Sequence, residues 1–335
     1  MTGDVAIVGG SLAGLATGIG LARRGILVNV FEQNTGEERG GTGLGVDRAL
    51  ITETTDGLGV HESTRVDLIS SDDHRAYLSG PRITASADII IGADGYRSVV
   101  RRAVSPTRPF APYGGFLLWR GLVEESWLPK QMLAKTSLGG GRSPHPEAAR
   151  LVVYRVPGPN GETTPGKRSI TLAWYDASRT QWLRDRGYLV GDEVMGSVLP
   201  TAVDGELRAE LLAIAQKRWR GAAGEIISAA IEHKVIFGTP LAEYLPERLV
   251  AGRLALVGDA AHVASPMVGA GFSSGLQDGK AFITAVSRSG GTAAYAGDQA
   301  LRRYDEVRLV PNRRRVLESL AETHDLLRST ASQLN

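Results

Sequence analysis

Cysteine is absent from all 335 residues, which excludes disulfides, thiol redox chemistry, Cys-ligated zinc and any cysteinyl cofactor link. An excess of one charge is missing too. The 38 basic and 36 acidic residues leave a net charge of +2, too weak a field to recruit nucleic acid. No apolar run approaches the roughly 18 residues that a membrane-spanning helix needs. The opening Met1-Thr-Gly-Asp4 enters a strand pattern without the charged and apolar regions of a signal peptide. A cytoplasmic location is therefore expected, with no membrane span and no nucleic-acid partner. The six histidines (His61, His74, His145, His233, His262 and His324) show no metal-ligand spacing, so no metal is expected. Internal repeats and low-complexity segments are also lacking.

What is present is ordinary in bulk and unusual in its glycines. Apolar residues make up 42% and charged residues 22%, and the length suits about two domains. The 42 glycines gather near 9–14, 36–45 and 269–279, and grouped glycines mark backbone that approaches a ligand. Asp4-Val-Ala-Ile-Val8 reads as a buried parallel strand. A helix follows to about Arg24, with Leu12, Leu15, Ala16 and Ile19 on one apolar face and Gly25 as its C-cap. Ile26 to Phe31 is a second strand, so residues 4–32 form a βαβ unit. After a glycine-rich loop comes a poorly patterned stretch, then a small β-meander near 64–70, 75–78 and 82–85, then a buried strand over Asp88–Gly92.

From about 106 to 249 the texture changes to strands near 114–121, 150–156 and 169–175, with helices near 179–186 and 204–218. The first texture returns at Arg253–Gly258, and two helices close the chain, about 272–287 and 297–328, the second broken near Pro311. The expected fold is α/β: a discontinuous Rossmann-like domain (1–105 and 250–335), an inserted mixed β-sheet domain (106–249) and C-terminal helices.

Three turns carry chemistry. Gly9-x-Ser11-x-x-Gly14 lies between strand and helix, where helix N-terminal amides face a pyrophosphate and the last glycine permits close packing. Ser11 replaces the usual middle glycine with another small residue. Glu32 follows Gly14 by 18 residues, where a carboxylate accepts ribose hydroxyls and repels a 2′-phosphate. Gly258-Asp259-Ala-Ala-His262, with Pro266 and Gly269-Ala-Gly271-Phe272, places an acid at a strand end and a glycine-rich turn before a helix. Asp259 reads equally as a helix N-cap, and His262 as a capping or packing histidine. The third turn is Gly92-Ala-Asp94-Gly95-Tyr96-Arg97-Ser98-Val-Val-Arg101.

In this order the three turns resemble the para-hydroxybenzoate hydroxylase family of FAD monooxygenases. Leu118-Trp119-Arg120-Gly121, Tyr154-Arg-Val-Pro157-Gly158 and Ala173-Trp174-Tyr175 look like its 2,6-dihydroxypyridine hydroxylase branch. The resemblance implies FAD, with Gly9, Ser11, Leu12, Ala13, Gly14, Glu32 and Gln33 at the ADP half and Asp259 on the ribityl chain. It places Gly269, Gly271 and Phe272 against the flavin ring, with His262 and Pro266 beside it. Val46, in a loop over 41–46, covers one side of the ring. Asp94 contacts FAD and a transient NADH or NADPH. The implied reaction is reduction of FAD by NAD(P)H, addition of O2 to give a C4a-hydroperoxide, and oxygen transfer to a small aromatic or N-heteroaromatic substrate. A homodimer is compatible with this.

Family members carry several tens more residues after the Gly41-Thr42-Gly43 loop, including a helix with an arginine near the pyrophosphate. Here Ile51–Thr55 runs almost directly into Asp56-Gly57, so no pyrophosphate arginine is assigned. Rival readings are an NAD-linked dehydrogenase, which leaves Gly258-Asp259 unexplained, and a flavin halogenase, whose tryptophan-rich signature is missing. A flavin-binding protein without hydroxylase activity, or another flavin oxidoreductase, is the remaining alternative. Gly161–Lys167 imitates a phosphate-binding loop, but Arg168 stands where Ser or Thr should be, so a hairpin loop is expected. Arg313–Arg315 reads as a solvated helix face, His145 as exposed loop, and Trp119, Trp174 and Tyr154 as sheet core rather than substrate wall.

Overall fold

The computed structural model describes residues 3–34, 56–135, 141–142, 151–268 and 271–334. In chain order the elements are β1 (Asp4–Val8), α1 (Leu12–Ala22), β2 (Leu27–Phe31), β3 (Leu58–His61), β4 (Leu68–Ser71), β5 (Ala76–Gly80), β6 (Ile83–Ala87), β7 (Ile89–Gly92) and α2 (Val99–Val104). Next come β8 (Tyr113–Glu124), α3 (Lys130–Lys135), β9 (Gly141–Arg142), β10 (Leu151–Val156), β11 (Ser169–Asp176), α4 (Thr180–Asp185), β12 (Leu189–Val190) and β13 (Glu193–Val194). The chain then forms α5 (Gly205–Arg218), α6 (Ala222–Glu232), β14 (Phe237–Ala242), β15 (Val250–Ala251), β16 (Leu254–Leu256), α7 (Gly271–Ser289) and α8 (Ala294–Leu334). The described residues divide into two compact units. The first draws on 3–34, 56–112, 242–268 and 271–323, the second on 113–135, 141–142, 151–241 and 324–334.

The first unit is built on a six-stranded sheet in the order β15-β16-β7-β1-β2-β3. All neighbours run parallel except β15 against β16. Its inner strands are continuous apolar runs because both faces are covered, and Ile7, Ile89, Ile90 and Ile91 are fully buried. The meander appears as a separate antiparallel sheet, β4-β5-β6. β3 is a strand that the poorly patterned reading did not contain. Its four residues are short and only half covered, so they carry no apolar alternation.

Two other expectations need correction. The buried face of α1 is Gly14, Leu15, Thr17, Gly18, Leu21 and Ala22, and Ala16 is exposed. Apolar spacing misleads here because the neighbour of α1 is the backbone of α7 rather than a bed of large side chains. A Cβ on Gly275 would lie 3.2 Å from the Cβ of Ala13, and one on Gly279 would lie 2.4 Å from Thr17 Oγ1. Small residues are therefore the buried ones. The last helix is also unbroken at Pro311. Proline removes the bond to the carbonyl four residues back, and here both Val307 and Pro311 face solvent, where water can take that carbonyl. On the opposite side Arg308 and Asn312 are buried and anchored.

The second unit holds a five-stranded sheet in the order β14-β8-β11-β10-β9. β8, β11, β10 and β9 pair antiparallel. Trp119 and Trp174 are 0% exposed and belong to its core. Trp174 meets Trp219 edge-on at 4.8 Å, and the Trp119 indole donates to Asp176. The stretch from Gly161 to Lys167 connects the antiparallel pair β10 and β11. Beneath it Glu125, 1% exposed, takes Arg155, Arg168 and the Gly166 amide. That knot engages the Gly166 amide and Arg168 without a phosphate. No helix among the described residues is long and apolar enough to cross a membrane.

Candidate functional site

Three turns leave the same edge of the parallel sheet, at the C-terminal ends of the neighbouring strands β1, β7 and β16. Open α/β sheets bind ligands at that edge. After β1 the chain turns through Gly9, whose φ of +103° suits only glycine. A Cβ there would meet the Ala93 carbonyl at 2.4 Å, and one on Gly14 would meet the Gly9 carbonyl at 2.2 Å. Ser11 caps α1 by accepting from the Gly14 amide at 3.2 Å, so the serine in the middle-glycine position has a local task. Leu12 and Ala13 form the first turn of the helix, whose amides have no intrahelical acceptor.

Glu32 ends β2 and is nearly buried, with its carboxylate turned to the glycine turn. One oxygen accepts from the Gly10 amide at 2.7 Å and the other from the Asn34 amide at 2.9 Å. Each oxygen keeps a further lone pair. Gln33 is exposed. The second turn carries Asp94. Its Oδ2 accepts from the Val99 amide at 2.7 Å, and its Oδ1 is buried without a hydrogen-bond partner among the described residues. Burial pushes its pKa upward, partly offset by bonds from Ser98 and the start of α2.

The third turn begins at Gly258, φ +61°, and presents Asp259. The Asp259 side chain is exposed and makes no hydrogen bond among the described residues, so it is not serving as a helix cap. Although it reaches solvent, surrounding protein desolvates the carboxyl and raises its pKa, with His262 and Arg101 pulling the other way. His262 is 1% exposed, and its Nε2 lies 2.9 Å from Asp278 and 3.3 Å from Ser274 Oγ. Pro266 is exposed at the start of a 3-10 turn. Gly271 and Phe272 open α7. Val46 and Gly269 lie outside the described residues, as does His145.

Sequence reasoning quoted Arg101 without giving it a task. It is 0% exposed and binds the two acidic turns together. Its guanidinium donates to the Tyr96 carbonyl, to Asp259 O at 3.3 Å and to Ala260 O at 3.2 Å, and it lies 4.5 Å from the Tyr244 ring centre. Asp278 was missed altogether. Its signal was available: an aspartate at helical spacing from the apolar Phe282 and Ala285 of α7 needs partners. Among the described residues no group of three His, Cys, Asp or Glu could hold a metal.

An acid with nothing to hold, an orphaned carboxylate oxygen and a glycine turn at a helix start suit a ligand rich in hydroxyls and phosphates. FAD has that chemistry. The "FAD binding domain-like" family model matches residues 113–226 and the "FAD binding domain" model matches 213–318. A 3-amino-4-hydroxybenzoate 2-monooxygenase of Streptomyces cremeus is 28% identical over 67% of this chain and 46% of its own length. The chain thus spans about half the length of that relative. A 2,6-dihydroxypyridine 3-monooxygenase of Paenarthrobacter nicotinovorans is 24% identical over 86% of this chain and 84% of its own. The solved 2,6-dihydroxypyridine-3-hydroxylase from Arthrobacter nicotinovorans superposes with a TM-score of 0.78 at 19% identity, covering 97% of this chain and 93% of that one.

Fold and site define an FAD-binding α/β protein. The chain is similar to FAD-dependent aromatic-ring monooxygenases, the two relatives above among them.

Proposed function

We propose that the protein is an NAD(P)H-consuming FAD monooxygenase that hydroxylates a small, electron-rich aromatic or N-heteroaromatic ring. The observation that carries this reading is the convergence of three turns on one sheet edge, with Asp259 exposed and unengaged at the last of them. Gly9, Ser11, Leu12, Ala13 and Gly14 would hold the pyrophosphate through helix-terminal amides, and Glu32 with Gln33 the adenosine ribose. Asp259 would accept from the ribityl hydroxyls, and Asp94 from the same cofactor or the transient nicotinamide. Gly271, Phe272 and Pro266 would lie beside the ring, with Gly269 and Val46 completing its surround. His262 would support that region from behind. FAD, when bound, would supply the redox chemistry by which NAD(P)H and O2 hydroxylate the ring, the second oxygen atom leaving as water. The chain positions the reactants and excludes water.

Residues 1–105 and 250–335 would then serve as the FAD domain and 106–249 as the substrate domain. The names of the relatives favour hydroxylated benzoates or pyridines as substrates. The test is direct. Purified protein should show a flavin absorption spectrum, and NADH or NADPH oxidation should be stimulated by some member of a panel of phenols and N-heteroaromatics, with hydroxylated product. A flavin spectrum without stimulated oxidation or product would leave a flavin-binding protein that lacks hydroxylase activity.

A further inference from the structure

The turn that presents Asp259 is gripped from behind by a carboxylate with no part in the reading above. Asp278 stands on α7 and is 0% exposed. Its Oδ2 accepts from the Gly258 amide at 3.0 Å and lies 2.9 Å from His262 Nε2. Its Oδ1 accepts from Arg308 Nε at 2.7 Å and from Asn312 Nδ2 at 3.0 Å. An ionised carboxylate only accepts, so His262 must carry its proton on Nε2. Four N–H groups, two from this turn and two from α8, therefore converge on one side chain. His262 also donates its own amide to the Gly258 carbonyl at 3.0 Å, so both ends of the Gly258 peptide are held. Arg101 fixes the next two carbonyls. The Gly258 amide and the carbonyls of Gly258, Asp259 and Ala260 are thus committed, while the Asp259 side chain is left open to a ligand.

We propose that Asp278 is a positioning residue for FAD, setting the place of the Asp259 carboxylate through the Gly258 amide and His262. The inference rests on the functional reading, in which Asp259 contacts the ribityl chain. An asparagine cannot replace Asp278. Its amide offers one accepting oxygen, and whichever way it turns its NH2 faces two N–H donors. The Gly258 turn is then released, or Arg308 and Asn312 lose their partner.

FAD affinity, measured by quenching of flavin fluorescence on apo-protein, separates positioning from mere stability. Asp278→Asn should raise Kd about tenfold or more with Asp259 present, and less than about twofold in an Asp259→Ala background, because coupled residues are not additive. The absorption bands of FAD bound to Asp278→Asn should also shift. Asn312→Ala, which removes a donor only from the far oxygen, should lower Tm and leave Kd within about twofold. Should Asp278→Asn fail to fold, His262→Leu carries the same test, with a severalfold loss that vanishes without Asp259. Equal losses in both backgrounds, or a loss in Asn312→Ala matching that in Asp278→Asn, would overturn the inference. Wild-type protein that takes up no FAD would overturn the functional reading and this inference with it.

Discussion

Single residues at this site do two things at once, and their variants should be read accordingly. Glu32 braces the glycine turn with one oxygen and the Asn34 amide with the other, and stands where a ribose would be held. Glu32→Ala should weaken FAD binding by roughly 1.5–3 kcal/mol, the range for hydrogen bonds to a charged group. Flavin titration checks this, and unchanged affinity would return Glu32 to bracing alone. Arg101 is different, since its work is internal. Burial lowers its pKa, with the nearby Tyr244, Asp94 and Asp259 opposing that shift, and its N–H groups are spent on carbonyls of two turns. Arg101→Met should cost roughly 2–3 kcal/mol or more, because an unsatisfied buried group costs about 1–3 kcal/mol and several carbonyls lose their donor together. A chemical melt of the apo-protein measures that loss. Wild-type stability in the variant would show that the carbonyls find other donors.

At the scale of elements, the contact between α1 and α7 brings the N-terminal end of one helix against the turn that carries Asp259. Ala13, Gly258 and Gly275 meet there, with a Gly275 Cβ position 3.2 Å from Ala13 and 3.4 Å from Gly258 Cα. Gly275→Val should force the two turns apart and destabilise by about 1–3 kcal/mol, as overpacking does. Flavin affinity should fall with it, which parallel melts and titrations would register. Pro311→Ala should act the other way. It restores one helical bond on the solvent side of α8 and should add about 1–3 kcal/mol, seen as a higher Tm.

These elements also show what could be read in advance. The βαβ unit, the meander and the strand before Asp259 were legible because long apolar runs and turn glycines announce them. The small-residue face of α1 was not, since close backbone packing leaves no apolar period. Nor was the continuity of α8, because proline's cost depends on which face meets water. At the site, the turns and their acids were visible as motifs. The tasks of Asp278 and Arg101 were not, since most of their partners lie in other elements.

For the molecule as a whole, one acid-sensitive contribution to stability lies in the second unit. Burial of Glu125 opposes its ionisation, but Arg168, the Gly166 amide and Arg155 prevail and lower its pKa from 4.5 to about 2. A depressed carboxyl contributes stability above its unfolded pKa and loses it as pH falls. That contribution is complete above about pH 4.5 and fades towards pH 2, with an upper bound of about 3 kcal/mol. Glu125→Gln should therefore flatten the difference in Tm between pH 5 and pH 3. A slope unchanged from wild type would place the acid sensitivity elsewhere.

The strand order has a temporal consequence as well. β16 lies beside β7, yet the ribosome must add everything from Gly92 to Leu254 between them. At about 5–20 residues per second that gap lasts roughly 8–30 s, with one edge of the nascent sheet unpaired. The glycine turn and Glu32 are made early and Asp259 late, so flavin should be a latecomer to folding rather than its nucleus. Refolding from urea should give the same early far-UV signal with or without FAD, and flavin quenching should appear only in the slowest phase. Quenching in the early phase would mean that the first βαβ unit captures the cofactor alone.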